Sequence, residues 1–228
     1  MENFEGLKLH ATLAGALSQL GFKEPTPIQA QAIPPALEGR DILGSAQTGT
    51  GKTGAFGIPM VDYLLRVPTG VGLVLLPTRE LAVQVLKALQ GFLGDSGVPM
   101  ALLIGGEPMP KQLAQLRRRP RILVGTPGQV NDHLARGTLR LTDLRFLVLD
   151  ETDRMLDMGF GVQLEAIAAY LPEVKPQTLL FSATLPHNIR DLTHKYLKDP
   201  VRVSIGQTNA VAQNLTQQHV RLEASEKY

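Results

Sequence analysis

The sequence predicts an α/β fold, a three-layer sandwich in which a mostly parallel sheet of about seven strands carries helices on both faces. Two observations carry this prediction. Short apolar runs of strand length recur between longer segments of helical period, and the runs are continuous in Val, Ile and Leu, as strands covered on both faces are. The regular succession of strand and helix calls for βαβ units, whose ligands bind beyond the carboxyl ends of the strands.

Taken in order, the first 40 residues precede any strand and form a helical preface, with helices expected over 10–20 and 28–37. Strands are expected over 41–46, 71–77, 100–106, 121–126, 144–150, 177–184 and 201–205. Between them lie helical segments over 52–66, 79–93, 110–118, 128–135, 160–170 and 188–197. The sandwich therefore occupies 41–205. Residues 206–228 are polar, with Gln207, Gln213, Gln217 and Gln218, and read as a linker; Val220, Arg221 and Leu222 alternate as the start of another strand would, so the polypeptide is expected to continue.

Composition narrows the chemistry. With 228 residues, 43% of them hydrophobic, the chain has enough apolar matter for a core that needs no staples. It has no Cys, which removes disulfides, thiolate metal sites and a cysteine nucleophile and fits a reducing compartment. A net charge of +2 gives the molecule no overall pull on polyanions, so any nucleic-acid surface must be local. Residues 1–10 lack an apolar signal core, and apolar stretches such as 73–76 fall far short of the roughly 18 residues of a membrane span. The expectation is a cytoplasmic protein with no membrane segment.

The sharpest motif is Ala46, Gln47, Thr48, Gly49, Thr50, Gly51, Lys52 and Thr53, placed between a strand and a helix. This is the context in which a glycine-rich loop cradles phosphates. Gly49 and Gly51 permit backbone conformations that turn successive N–H groups inward. Lys52 would reach the β- and γ-phosphates, Thr53 would offer its hydroxyl to Mg²⁺, and the helix start adds its positive dipole end. Ala46 stands where the strict pattern has Gly. The alternative is a glycine-rich turn with a solvated lysine.

A phosphate loop needs an acidic partner for the metal, expected on a neighbouring strand. The run 144–149 ends in Asp150, Glu151, Thr152 and Asp153. Asp150 is the expected Mg²⁺ ligand, partly through water, with Thr53. Glu151 would orient or deprotonate the water that attacks the γ-phosphate. The alternative is an acidic cluster capping the next helix.

With AQTGTGKT at 46–53, PTRELA at 77–82, GG at 105–106, TPG at 126–128, DETD at 150–153 and SAT at 182–184, the chain resembles the amino-terminal half of a DEAD-box RNA helicase, a RecA-like domain. The segment from Gly21 to Gln29 resembles the family's adenine-reading motif, and Phe4 lies upstream where the family places an aromatic. The resemblance implies ATP and Mg²⁺ as cofactors, with Gln29 pairing adenine through its amide. Phe22 either stacks on the base or clamps the preface to the sheet. It further implies that Pro77, Thr78, Arg79, Gly105, Gly106, Thr126, Pro127 and Gly128 hold single-stranded or duplex RNA by its backbone, indifferent to sequence. Ser182 and Thr184 would couple nucleotide state to RNA, and a second RecA-like domain of the same polypeptide would complete the ATP cleft with an arginine finger.

The resemblance departs from the family pattern in three respects. Thr152 replaces the family's Ala, Gln129 replaces its usual Arg, and nothing after Thr184 matches the second half. An ATP-gated RNA clamp, or a DNA-directed translocase on the same fold, are the competing readings. Arg117, Arg118, Arg119 and Arg121 form a basic run, either a solvated face or a fringe of the RNA track.

Overall fold

The computed structural model describes residues 3–184 and 187–205. The expected linker over 206–228, with its possible strand at 220–222, lies outside the described residues. A short 3-10 turn over Glu5–Leu7 leads into α1 (Ala11–Gln19) and α2 (Pro27–Leu37). The sandwich then runs β1 (Ile42–Ser45), α3 (Lys52–Arg66), β2 (Val71–Leu75), α4 (Arg79–Leu93), β3 (Met100–Leu103), α5 (Met109–Arg117), β4 (Ile122–Gly125) and α6 (Pro127–Ala135). It closes with β5 (Leu144–Leu149), α7 (Thr152–Asp157), α8 (Gly161–Ala168), β6 (Gln177–Ser182), α9 (His187–Tyr196) and β7 (Val201–Ser204).

The seven strands form one sheet in the order β3-β4-β2-β5-β6-β1-β7, and every pairing is parallel. The sheet splits the apolar residues between two cores. Val74, Leu76, Val124, Val148 and Phe181 face one core with residues of α1 to α4, whereas Leu73, Leu75, Leu123, Leu147 and Leu180 face the other with residues of α6 to α9. Alternate residues of one strand thus enter different cores, and both sets must be apolar.

Helix ends follow local rules. Pro27 and Pro127 stand in the first turns of α2 and α6, where a missing N–H costs nothing. Thr78 caps α4 by accepting the Leu81 N–H at 3.3 Å. The helix α7, which the sequence did not predict, is one short element of six residues opened by Glu151.

The preface is docked through Asp62 of α3. Its carboxylate accepts the His10 N–H at 2.6 Å and pairs with Arg66, 2.7 Å away. Arg66 in turn donates to the Lys8 carbonyl at 2.5 Å. Arg121 leaves the basic run in which the sequence placed it. Its guanidinium donates to the carbonyls of Leu64, Val67, Thr69 and Gly70 and stitches the end of α3 to the start of β2. Arg117, Arg118 and Arg119 remain exposed.

Candidate functional site

The carboxyl ends of the strands all lie along one edge of the sheet, and the sequence motifs sit there. One expectation is corrected at this edge: β5, which delivers Asp150, is not next to β1, which delivers the phosphate loop. β6 pairs with both and separates them. The two motifs are joined across the end of β6 by side chains long enough to reach.

Lys52 Nζ lies 3.1 Å from Asp150 Oδ1, and both side chains are more than nine-tenths buried. Asp150 also accepts the Glu151 N–H at 2.9 Å. Burial pushes the Asp150 carboxyl above its ordinary value, against the opposing pull of the Lys52 ammonium. A carboxylate in this state is poorly solvated and gains from a closer or stronger cation.

Glu151 holds a left-handed backbone at φ 53° as it opens α7. Its carboxylate is held at both oxygens. Thr48 of the phosphate loop donates to Oε1 at 3.1 Å, and Arg154 reaches Oε2 at 3.2 Å. Thr48, Gly49, Gly51, Lys52, Thr53, Asp150 and Glu151 line a cleft of about 430 Å³ together with Leu76, Leu81, Gln84 and Val85. The last three belong to α4. Leu81 lies in the PTRELA segment, but no motif marks Gln84 or Val85; their positions on the wall facing the phosphate loop follow only from the packing of α4 on α3.

Gln29 is buried against the phosphate loop. Its Nε2 donates to the Gly51 carbonyl at 3.0 Å, and its Oε1 accepts the Thr26 N–H at 3.0 Å. Gly51 needs to be glycine twice over: its φ is 91°, and a Cβ would lie 2.7 Å from Thr26 Oγ1 and 2.8 Å from Gln29 Nε2. The side chain expected to pair with adenine is therefore also the tie between the preface and the loop. Phe22 packs edge-on between Phe4 and Phe92, with ring centroids 5.8 and 5.5 Å away. These ring contacts join the preface to α4.

Ser182 is fully buried and donates to the Thr184 carbonyl. Thr184 donates through its N–H and its hydroxyl to Asp153 Oδ2, at 3.0 and 3.1 Å. The end of β6 is thus linked to the acidic segment through Asp153. Thr152 is fully buried, and its additional hydroxyl lies 3.4 Å from the Leu149 carbonyl that can accept it.

A second groove of about 520 Å³ is lined by Pro77, Thr78, Arg79, Glu80, Gly105, Thr126, Gly128, Gln129, Met158 and Phe160. The ends of β2, β3 and β4, adjacent in the sheet, bring these residues together. Gly106 and Pro127 do not line it: Pro127 is buried in the first turn of α6, and Gly106 lies beneath Arg79. At Gly106 φ is 82° and a Cβ would meet Arg79 Nη1 at 2.3 Å, so the glycine pair makes room for the guanidinium. Gln129 faces the groove in place of a cation.

A family model described as DEAD/DEAH box helicase matches residues 26–192. The chain is 42% identical to the DEAD-box ATP-dependent RNA helicase CshA of Bacillus cereus (strain ATCC 10987 / NRS 248), over all of this chain and 43% of that protein. Among solved structures it is similar to a DEAD box protein from the hyperthermophile Methanococcus jannaschii, with TM-score 0.85 and 36% identity over 90% of this chain and 56% of that one. It is also similar to a hypothetical ATP-dependent RNA helicase from Sulfolobus tokodaii, with TM-score 0.80 and 30% identity over 86% of this chain and 57% of that one. The chain spans about half the length of these relatives. Among the described residues no helix is long and apolar enough to cross a membrane.

Proposed function

The chain belongs to the DEAD/DEAH box helicase family, and from that membership we propose that it is the ATP-binding first half of an RNA helicase. In this reading 1–40 is the preface with the adenine-reading motif, 41–205 the RecA-like domain and 206–228 the linker to a second such domain. Its work would be to couple Mg-ATP binding and hydrolysis to sequence-independent RNA binding and local strand separation in the cytoplasm.

The observation that carries the proposal is the buried Lys52–Asp150 pair at the floor of a cleft whose wall is the phosphate loop. An ammonium and a carboxylate that neutralise each other here are the two groups that a triphosphate and its metal would separately engage. The oxygen donors of Thr53 and Asp150 fit Mg²⁺, a hard cation that takes few protein ligands and keeps several waters. Such an ion, when bound, would offset phosphate charge and orient the γ-phosphate. Lys52 would exchange the carboxylate for phosphate oxygens. Glu151, already fixed by Thr48 and Arg154, would hold the attacking water and accept its proton. The Asp153–Thr184 tie would carry changes at this edge toward the RNA groove, where Arg79, Thr126 and the backbone at Gly105 and Gly128 would bind phosphates.

Measurement of fluorescent adenine nucleotide binding tests the reading. Lys52→Ala should abolish detectable binding while circular dichroism and thermal unfolding show a folded protein; Glu151→Gln should bind nucleotide and hydrolyse on the order of 10²–10⁴-fold more slowly. Unchanged nucleotide affinity in a folded Lys52→Ala protein would overturn the proposal.

A further inference from the structure

The two walls of the RNA groove are joined beneath its floor by a buried hydrogen-bonded pair that no motif marks. The pairing of β3 with β4 ends at Leu103 and Gly125, with one further bond from the Thr126 N–H to the Leu103 carbonyl at 3.1 Å. Beyond that point the Gly105–Gly106 turn projects past the ladder with no strand to hold it. Gln112, on the following helix and fully buried, donates through Nε2 to the carbonyls on both sides of the turn, Ile104 at 3.1 Å and Glu107 at 2.9 Å.

Both Nε2 hydrogens are thereby used, so Gln112 can meet a further partner only as an acceptor through Oε1. That partner is His133 Nε2 of α6, 3.0 Å away and fully buried. The bond requires the His133 Nε2 to carry a proton; Nδ1 lies 2.8 Å from Thr138 Oγ1, whose one hydroxyl proton is shared between Nδ1 and the His133 carbonyl, 3.1 Å away. The chain of contacts runs from Arg79 over the glycine turn, through Gln112 and His133, to the helix whose first turn forms the opposite wall.

Resting on the reading of this groove as an RNA site, we propose that Gln112 and His133 are positioning residues for RNA: a strut that sets the spacing between the Gly105–Gly106 turn and the start of α6. Neither side chain reaches the groove. Their effect is on where the turn's N–H groups and Arg79 stand relative to Thr126 and Gly128. A backbone-binding surface depends on that spacing because the phosphates it meets are held at a fixed repeat along the strand.

The test is binding of a fluorescent single-stranded oligouridylate to the protein with a non-hydrolysable ATP analogue, alongside nucleotide affinity alone. Gln112→Met keeps the volume and removes the strut; His133→Phe leaves Gln112 Oε1 buried without a donor. Each should weaken RNA binding about tenfold or more with nucleotide affinity unchanged. The double variant should cost no more than the worse single one, because the two residues act as one unit. His133→Gln, which restores an N–H donor, should recover most of the RNA affinity. Arg79→Ala separates the two levels of the argument. If it leaves RNA binding intact, the groove is not the RNA site. If it weakens binding while folded Gln112→Met and His133→Phe do not, the groove stands and the strut is refuted. Equal loss of RNA and nucleotide affinity would also refute the strut, since it would mark a general loss of structure.

Discussion

At His133 a single side chain carries a pH dependence that can be isolated. Burial holds its pKa below the ordinary imidazole value, and of its charged neighbours Asp132 opposes this shift while Arg136 adds to it. The unfolded chain therefore takes up a proton that the folded one resists. The contribution to stability is complete above the ordinary value of about 6.5 and is lost as the pH falls from there through the lowered folded pKa. The melting temperature of the wild type should accordingly fall more steeply on acidification than that of His133→Gln, and parallel curves would show that His133 does not titrate in this way. Buried carboxyls such as Asp41, raised by desolvation, shift stability in the opposite direction, so only the difference between the two proteins is informative. Little of this was legible beforehand. His133 and Gln112 lie 21 positions apart, and their partnership arises only when α5 and α6 meet across the end of β3.

Among the elements, the preface packs its apolar side chains into the core on α3 and α4, and Asp62 is its polar tie most open to test. It is nearly buried, caps the entry to α1 through the His10 N–H and fixes Arg66, which holds Lys8. Asp62→Ala should destabilise the domain by about 1–3 kcal/mol, since it leaves a backbone donor and a guanidinium without their acceptor. Denaturant unfolding measures this, and a change near zero would show that water replaces the carboxylate. The elements themselves were well marked in the sequence. Among the described residues, all seven strands and eight of the nine α-helices fall where the apolar runs and periodic segments place them, with ends differing by a few residues because terminal turns are set by caps. The exception is α7, too short to show a period and begun by a residue in a left-handed conformation that no propensity favours.

For the whole molecule the decisive quantity is how much of the chemistry one domain can do. The chain supplies a phosphate loop, acidic residues and the groove proposed for RNA on one sheet edge, while its relatives are about twice as long. An arginine finger of the kind expected from the other half is worth on the order of 10³–10⁵ in rate. Steady-state ATP hydrolysis by residues 1–228 alone should therefore fall at least about 10³-fold below that of the two-domain protein with RNA. Comparable turnover would show that this domain is catalytically complete.

The sequence by itself determined the fold class, the parallel sheet and the chemical kind of each strand end, because continuous apolar runs and glycine-rich or acidic turns are local properties of the chain. The tertiary structure alone decided which ends are neighbours. Along the chain the motifs run phosphate loop, PTRELA, GG, TPG, DETD, SAT; along the sheet edge GG, TPG and PTRELA stand together, followed by DETD, SAT and the phosphate loop. That rearrangement follows from crossovers that skip strands, and it gathers one groove at the ends of β3, β4 and β2 and a separate cleft across the ends of β5, β6 and β1, with the Asp153–Thr184 tie at the end of β6. Long-range pairs such as Lys52 with Asp150, and Gln112 with His133, depend on this order; the phosphate loop called for an acidic strand end, but nothing in the local chemistry of Gln112 or His133 announces the other.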